Sequence, residues 1–428
     1  MIFAGSCNLR CSYCVIHKNP KIMNEYNNKI RESVLNGTFQ KNLFNLFKDN
    51  RKNITDLSVW SGEPTINADI ADKLLEPIFE YFENATEFMF STNSLLGFEK
   101  GIKPYIDCLQ KICTKHNRQI TFILQFSLDG PEELNDKSRN FPGITKKVLK
   151  TMEDTARYAA VNCKDGFKLC ITTKPTVSPE NQQYLLENKK VFEWFKFFND
   201  LTNYIKNIIK DNPNVDQGIA QAPTICTPYN YTHQDGILFR NFVREIKKLD
   251  LSKLENYTPY ALFARFHYIY RDSIGKDNFD PGALLCSAGL NSVSVDYEGN
   301  LMTCHRIYDD WRLGGETFPK SAEMSQMMFN KKDIARVSYL SKTFFMGHSL
   351  KKSFFDAIMI AMVASGEIDK KYLKPEYLHL IYIMCGSQTC FAGECGMQTN
   401  SIYIPPMGLI RLSCNGALEE IIDYYERM

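Results

Sequence analysis

The sequence predicts an α/β chain: a partial (β/α)6, TIM-like barrel over residues 1–230, a bridging region over 231–280, and a second, cysteine-rich domain over 281–428. Three observations predict it. Short apolar runs alternate with longer helix-patterned segments through the first half, the signature of βαβ units and a parallel sheet. At 428 residues the chain exceeds one average domain, and with 44% hydrophobic residues it can bury a sizeable core. Most of its 14 cysteines fall in two groups, one at the start and one towards the end.

The expected strands are residues 2–5, 56–60, 87–91, 121–127, 167–173 and 215–221. Helix-patterned segments at 68–82 and 143–161 lie between them; Ile70, Leu74, Ile78 and Phe82 recur at helical spacing in the first. Right-handed crossovers between such strands close into a barrel or partial barrel, with working residues at the C-terminal strand ends. Residues 181–210 read as one helix, terminated by Asp211-Asn212-Pro213-Asn214. Residues 321–384 read as helical and rich in Met and Phe, a stripe expected to be core.

A net charge of +2 gives no field for nucleic acid. The start, Met1-Ile2-Phe3-Ala4-Gly5-Ser6-Cys7, has no signal-peptide pattern. The most apolar stretch, 354–364, is too short to span a bilayer and reads as a buried helix. A cysteine-rich chain without export signals is expected in the cytoplasm, where thiols bind metal more often than they pair.

Cys7-Asn8-Leu9-Arg10-Cys11-Ser12-Tyr13-Cys14 sets three thiols on one tight loop directly after the first expected strand. A cubane cluster takes one ligand per iron, so three cysteines leave one iron open. A structural zinc site wants four closed ligands, and His17 is the residue that could complete one. Ser61-Gly62-Glu63-Pro64 follows the second strand, Ser91-Thr92-Asn93 ends the third, and Ser127-Leu128-Asp129-Gly130-Pro131 closes the fourth, with Asp136 and Arg139 beyond.

These four motifs, in this order, resemble the radical S-adenosylmethionine (SAM) superfamily, and specifically its peptide- and protein-modifying branch. The resemblance covers residues 1–175. It implies that Cys7, Cys11 and Cys14 ligate a [4Fe-4S] cluster whose open iron is chelated by SAM, and that Tyr13 lies beside the adenine. Gly62, Glu63 and Pro64 resemble the family's Gly-Gly-Glu-Pro element, which meets the SAM ammonium; Ser61 replaces its first glycine. Thr92 and Asn93 resemble a Thr-Asn-Gly segment, with Ser94 in the glycine position; they touch the methionine part of SAM or cap the next helix. Ser127 and Asp129 match a Ser-x-Asp-Gly strand end. There the serine contacts the ribose, and an arginine placed like Arg139 pairs with the SAM carboxylate through its planar fork.

Cys286 opens a second cysteine region. Twelve residues separate it from Gly299, and four more precede Cys304. Residues 292–302 alternate, turn at Glu298-Gly299-Asn300 and return, the pattern of a β-hairpin. With Cys385, Cys390, Cys395 and Cys414 this resembles the SPASM/twitch extension, implying one or two auxiliary [4Fe-4S] clusters. The spacing departs from that family, and Thr399 stands where its grouped cysteines have a fourth member. Either one complete cluster lies on Cys385, Cys390, Cys395 and Cys414 with a partial or absent one at Cys286 and Cys304, or three-cysteine clusters keep an open iron. A helical insertion, 305–384, separates the two parts. His305 occupies a position where some relatives place a proton acceptor; the alternative is a hydrogen-bonded surface histidine. Cys108, Cys113, Cys163, Cys170 and Cys226 are expected to be buried, inert thiols.

The expected activity is reductive cleavage of SAM to a 5′-deoxyadenosyl radical. That radical takes hydrogen from a peptide or protein side chain and leads to oxidation, a thioether or a carbon–carbon crosslink. A small metabolite (amine, sugar or amino acid) is the rival substrate class, and a non-catalytic iron–sulfur or zinc scaffold the rival function. Expected partners are the substrate and a one-electron donor such as flavodoxin or ferredoxin; since the first strand begins at residue 2, peptide recognition is expected to use a separate leader-binding protein, a different surface of this chain, or no leader at all. Neither nucleic acid nor membrane is expected as a partner.

Overall fold

Five stretches that alternate apolar with polar residues pair into one parallel sheet: β1 (Asp56–Val59), β2 (Glu87–Thr92), β3 (Ile120–Phe126), β4 (Phe167–Thr173) and β6 (Val215–Gln217), side by side in that order. β5 (Thr176–Val177) belongs to a second sheet. In this computed structural model the described residues are 1–14, 20–217, 224–226, 233–250, 254–255, 293–302 and 416–427, with shorter stretches at 360, 362–366, 369–372, 374, 397–398 and 402–404. Spatial order follows chain order because each strand returns through a helix to its neighbour. The parallel α/β arrangement expected from the sequence is therefore present.

The two faces of this sheet differ. On one, Leu57, Val59, Phe88, Phe90, Phe122, Leu124, Leu169 and Ile171 are buried. Phe90 packs 4.6 Å from the ring of Tyr105 and 5.2 Å from that of Phe122, centroid to centroid. Tyr105 lies on α4 (Lys103–His116), and α3 (Ala71–Tyr81) and α6 (Ile144–Asn162) add Leu74, Ile78, Val148 and Met152 to the core. On the opposite face Ser58, Met89, Ser91, Ile123 and Cys170 are only half-buried. Period-two alternation explains both faces from one sequence.

Three expected elements change form. Residues 2–5 make no strand: Ile2 alone bridges Trp60 in parallel fashion. Side chains replace the missing ladder. The Phe3 carbonyl accepts from Asn67 Nδ2 (2.6 Å), and the Gly5 N–H donates to Asn27 Oδ1 (3.1 Å). Asn27, on α1 (Pro20–Leu35), and Asn67 also exchange amide hydrogen bonds. The helix expected at 68–82 begins as a 3-10 segment, Pro64–Ile70, before α3. The helix expected at 181–210 is two, α7 (Pro179–Glu187) and α8 (Val191–Ile209). Asn188 closes α7 through bonds to the Tyr184 and Leu186 carbonyls, and Lys189 then turns left-handed at φ 53°. Asn212, expected as a terminator, donates its side-chain amide to the carbonyls of Ala159, Ala160 and Cys163, which end α6.

The expected hairpin forms, with β8 (Ser294–Val295) antiparallel to β9 (Leu301–Met302) and Gly299 at φ 82° in its turn. Asp296 braces that turn by accepting from the backbone N–H of Glu298 and Asn300. Although the sequence places this hairpin in the C-terminal domain, the Ile2 N–H donates to the Val295 carbonyl (2.9 Å), and Asn42, on α2 (Thr38–Phe47), donates to the Tyr297 carbonyl.

By contacts the chain forms two compact units: Met1–Lys174 with Asp200–Ala220 and Val293–Ile334, and Pro175–Asn199 with Gln221–Ser292 and Ala335–Met428. The second holds a four-stranded sheet in which β7 (Thr224–Cys226) lies between β5 and β11 (Ile402–Ile404), and β10 (Met397–Gln398) pairs antiparallel with β11. There α9 (His233–Lys247) meets α10 (Ala417–Glu426) through Arg244 and Lys247 on Glu420. Of the expected 354–364 helix, Met362 is buried, whereas Ile360 is 69% exposed. Among the described residues no helix is long and apolar enough to cross a membrane.

Candidate functional site

The C-terminal ends of β1, β2 and β3, and the loop after Ile2, supply the described residues that the resemblance assigns to the site, with Arg139 added from the end of the helix after β3. Gly62 follows β1 in left-handed backbone, φ 57°, and a Cβ there would lie 2.2 Å from the Ser6 carbonyl oxygen and 2.8 Å from that of Ala4. Only glycine permits this approach. It brings the Glu63 N–H onto the Ser6 carbonyl (2.8 Å), fastening the cysteine loop to the neighbouring strand end. Pro64 then starts the 3-10 turn, and its carbonyl accepts from Tyr105.

Glu63 is buried, and both oxygens of its carboxylate accept hydrogen bonds. Oε1 accepts from the Thr65 hydroxyl (2.7 Å), the Thr65 N–H (3.2 Å) and the Thr92 hydroxyl (2.7 Å); Oε2 accepts from the Asn93 N–H (2.7 Å). Burial nonetheless holds its pKa above the usual carboxylate range, against these donors. Thr92 therefore serves Glu63 and does not cap a helix. The two serines that stand in glycine positions, Ser61 and Ser94, both adopt left-handed backbone, at φ 72° and 62°. The geometry that favours glycine is retained without it.

The loop cysteines form no disulfide, each is half-buried, and a turn from the Cys14 N–H to the Cys11 carbonyl (3.1 Å) curls the loop. Asn93 Nδ2 reaches Cys7 Sγ at 3.5 Å, and the Leu9 N–H also donates to that sulfur. Arg139 Nη1 lies 3.9 Å from Cys11 Sγ. Burial raises both thiols, Cys7 further because Glu63 is close; Arg139 opposes the rise at Cys11. Amide and guanidinium donors aimed at sulfur suit thiolates that bear a cluster's negative charge. Among the described residues no three His, Cys, Asp or Glu side chains are gathered closely enough around one point to hold a single metal ion.

Asp129, at the end of β3, organises the other side. It is wholly buried and accepts from Arg139 Nη2 (2.7 Å), the Tyr13 hydroxyl (2.8 Å) and the Ser138 hydroxyl (2.8 Å). Arg139 Cζ lies 5.9 Å from the Tyr13 ring centroid. Burial would lower the Arg139 pKa, but Asp129 outweighs it and holds the guanidinium charged. Asn135, on α5 (Glu132–Ser138), fixes both partners by accepting from the Asp129 N–H and from Arg139 Nε. Ser12 joins the loop to α5, its N–H and hydroxyl both meeting the Ser138 carbonyl. Ser127 is half-buried, with its N–H on the Thr92 carbonyl. Asp136 takes the N–H groups of Gly143 and Thr145 and so starts α6.

Asn27, Asn67, Asn135 and Ser138 escaped the sequence reading. Polar residues spaced among apolar helix positions were the available signal, but their partners lie far along the chain. Of the other cysteines, Cys108, Cys113 and Cys163 are buried as expected; Cys170 is instead half-buried, because its parity places it on the sheet's open face. The side chain of Cys226, together with Cys286, Cys304, His305, Cys385, Cys390, Cys395, Cys414 and His17, lies outside the described residues. No protein-family model matches the chain, and no curated protein matches it in sequence.

Proposed function

We propose that the chain is a radical SAM enzyme acting on a peptide or protein side chain, its parallel sheet forming part of a (β/α)6 barrel. One observation carries this reading. The loop bearing Cys7, Cys11 and Cys14 is fastened to Glu63, Asn93 and the Asp129–Arg139 pair at the C-terminal ends of adjacent parallel strands. Four separate motifs that mean little alone meet at one edge of one sheet.

Cys7, Cys11 and Cys14 would hold three irons of a four-iron cluster. When bound, that cluster and SAM supply an electron and a 5′-deoxyadenosyl radical able to remove hydrogen from an unactivated carbon. The chain's residues bind, orient and exclude water. Glu63, held rigid by Thr65, Thr92 and the Asn93 N–H, offers a buried anion to the SAM ammonium. Arg139 brings positive charge beside Cys11, where it favours the thiolate and can meet the SAM carboxylate. Asp129 fixes that charge in place. Tyr13 presents its ring near Arg139, and Ser127 stands at the strand end for the ribose. The cysteines from Cys286 to Cys414 would hold one or two auxiliary clusters. The electron comes from a small carrier such as flavodoxin or ferredoxin.

Anaerobic reconstitution tests this. The native chain should release 5′-deoxyadenosine from SAM under a strong reductant, and a Cys7→Ala/Cys11→Ala/Cys14→Ala variant should lose that release together with about four iron atoms. Zinc in place of iron after anaerobic purification, or iron content unchanged in the variant, overturns the reading. Turnover of a free metabolite with no peptide present would move the substrate class.

A further inference from the structure

A cleft of about 650 Å³ lies where α1, the start of α2 and the β8–β9 turn meet, all within the first compact unit. Glu32, Ser33, Asn42, Glu298 and Asn300 line it, and none of them belongs to the cysteine-loop site. Asn300 is 8% exposed. Its Nδ2 donates to Asp296 Oδ2 (2.9 Å) and Glu298 Oε2 (3.1 Å), which fixes the amide and leaves Oδ1 over. Asn42 donates its Nδ2 to the Tyr297 carbonyl (3.2 Å), leaving its Oδ1 in the same way. Neither oxygen receives a hydrogen bond among the described residues. Amide oxygens so sheltered are rarely left without a donor, and a ligand is one way to complete them.

The rest of the lining also accepts more than it donates. Ser33 gives its hydroxyl proton to the Ile30 carbonyl (2.8 Å), so its oxygen faces the cleft only as an acceptor. Glu32 is exposed and has no ion-pair partner among the described residues. Lys29, the one basic side chain among the lining residues described, is bound to Glu25 (2.8 Å) one turn earlier on α1. The cleft therefore combines negative charge with spare amide oxygens, and suits a ligand that brings donors and positive charge.

We propose that this cleft binds the guanidinium of an arginine side chain, carried by the modified peptide at a position away from the reacting residue. That the carrier is the substrate peptide rests on the proposed function; the guanidinium rests on the cleft alone. Its five N–H donors in a planar fork match the Glu32 carboxylate together with the Asn42 and Asn300 oxygens, whereas an ammonium offers three. A bare metal ion fits worse. Among the described residues no three His, Cys, Asp or Glu side chains gather about one point, and the cleft is far larger than an ion needs.

Calorimetric titration of the full chain, purified anaerobically, with N-acetyl-L-arginine N-methylamide and its citrulline and lysine counterparts tests the site. The arginine probe should bind about tenfold more tightly than the neutral citrulline probe, and more tightly than the lysine probe. Glu32→Gln should weaken the arginine probe several-fold and leave the citrulline probe nearly unchanged. Glu32→Lys should abolish the preference. Glu32 is an exposed helix residue, and circular dichroism on each variant separates lost binding from lost folding. No binding of the arginine probe, equal binding of arginine and citrulline, tighter binding of lysine, or full affinity in Glu32→Gln overturns the proposal. So does displacement of the arginine probe by equimolar calcium chloride, which would mark a metal site. Failure of the parent reading shows separately, as no 5′-deoxyadenosine from the native chain.

Discussion

Arg139 Nη2 lies 2.7 Å from Asp129 Oδ1, in a pair whose side chains are 6% and 0% exposed. Charges so placed compensate each other, and the Tyr13, Ser138 and Asn135 groups stand around them. Asp129→Asn therefore leaves a buried guanidinium without countercharge and should destabilise the chain by about 3–5 kcal/mol in urea unfolding. The double variant Asp129→Leu/Arg139→Met should lose clearly less than the sum of the single losses, since neither charge is then stranded. Additive losses would show that the pair is not coupled.

The approach of Gly62 to residues 4–6 gives a second prediction. Gly62→Ala should cost on the order of 3 kcal/mol from left-handed strain and overpacking against two carbonyl oxygens. It should also detach the cysteine loop, read as faster alkylation of Cys7 and Cys11 in the metal-free chain. Ser94→Gly should act in the opposite direction. It relieves backbone at φ 62° and removes a buried hydroxyl that has no partner, so stability should rise by about 1 kcal/mol. A loss on Ser94→Gly would mean the hydroxyl holds something.

Thr92 donates to Glu63 Oε1 at 2.7 Å. Hydrogen bonds to charged groups contribute about 1.5–3 kcal/mol, so Thr92→Val should lose an amount in that range and weaken SAM binding. Thr92→Ser keeps the hydroxyl and should recover most of both, by thermal unfolding and by equilibrium dialysis with SAM. Equal behaviour of the two variants would remove Thr92 from the network.

Burial raises the thiols of Cys108 and Cys163 from the ordinary 9.0 to about 12, and that of Cys113 to about 11. With folded values above unfolded ones, their contribution to stability is complete below pH 9 and is lost as pH rises through 11 to 12. The folded chain should consequently lose stability across that window, and Cys108→Ala/Cys163→Ala should flatten the decline. Alkylation of these thiols at pH 8 should follow unfolding, whereas Cys7, Cys11 and Cys14 should react in the folded, metal-free chain.

Sequence pattern made the parallel sheet legible because one face of it is dry. Phe88, Phe90, Phe122 and Leu124 alternate with half-buried neighbours, and such alternation needs no knowledge of the partner strand. It failed at residues 2–5, where Asn27 and Asn67 supply the hydrogen bonds that a strand would have supplied. Pairing at such separations leaves no periodic trace. The helix break at Asn188–Lys190 was missed for a local reason: asparagine and lysine can continue a helix as readily as end one. At the site, the motifs marked Glu63, Asn93, Asp129 and Arg139. They did not reveal that Arg139 is already paired with Asp129, or that Ser61 and Ser94 keep a glycine's backbone.

The hydrogen bond from Ile2 to Val295 joins positions about 290 residues apart, and at roughly 5–20 residues per second a ribosome needs some tens of seconds to make the second after the first. Until then the flank of the nascent sheet beside Ile2 lacks this covering segment and is open to unwanted strand pairing. Chaperone occupancy of the growing chain should accordingly persist until the 293–302 segment has emerged. A gene split before that segment should yield an N-terminal piece prone to precipitation, and a co-expressed C-terminal piece should keep it in solution.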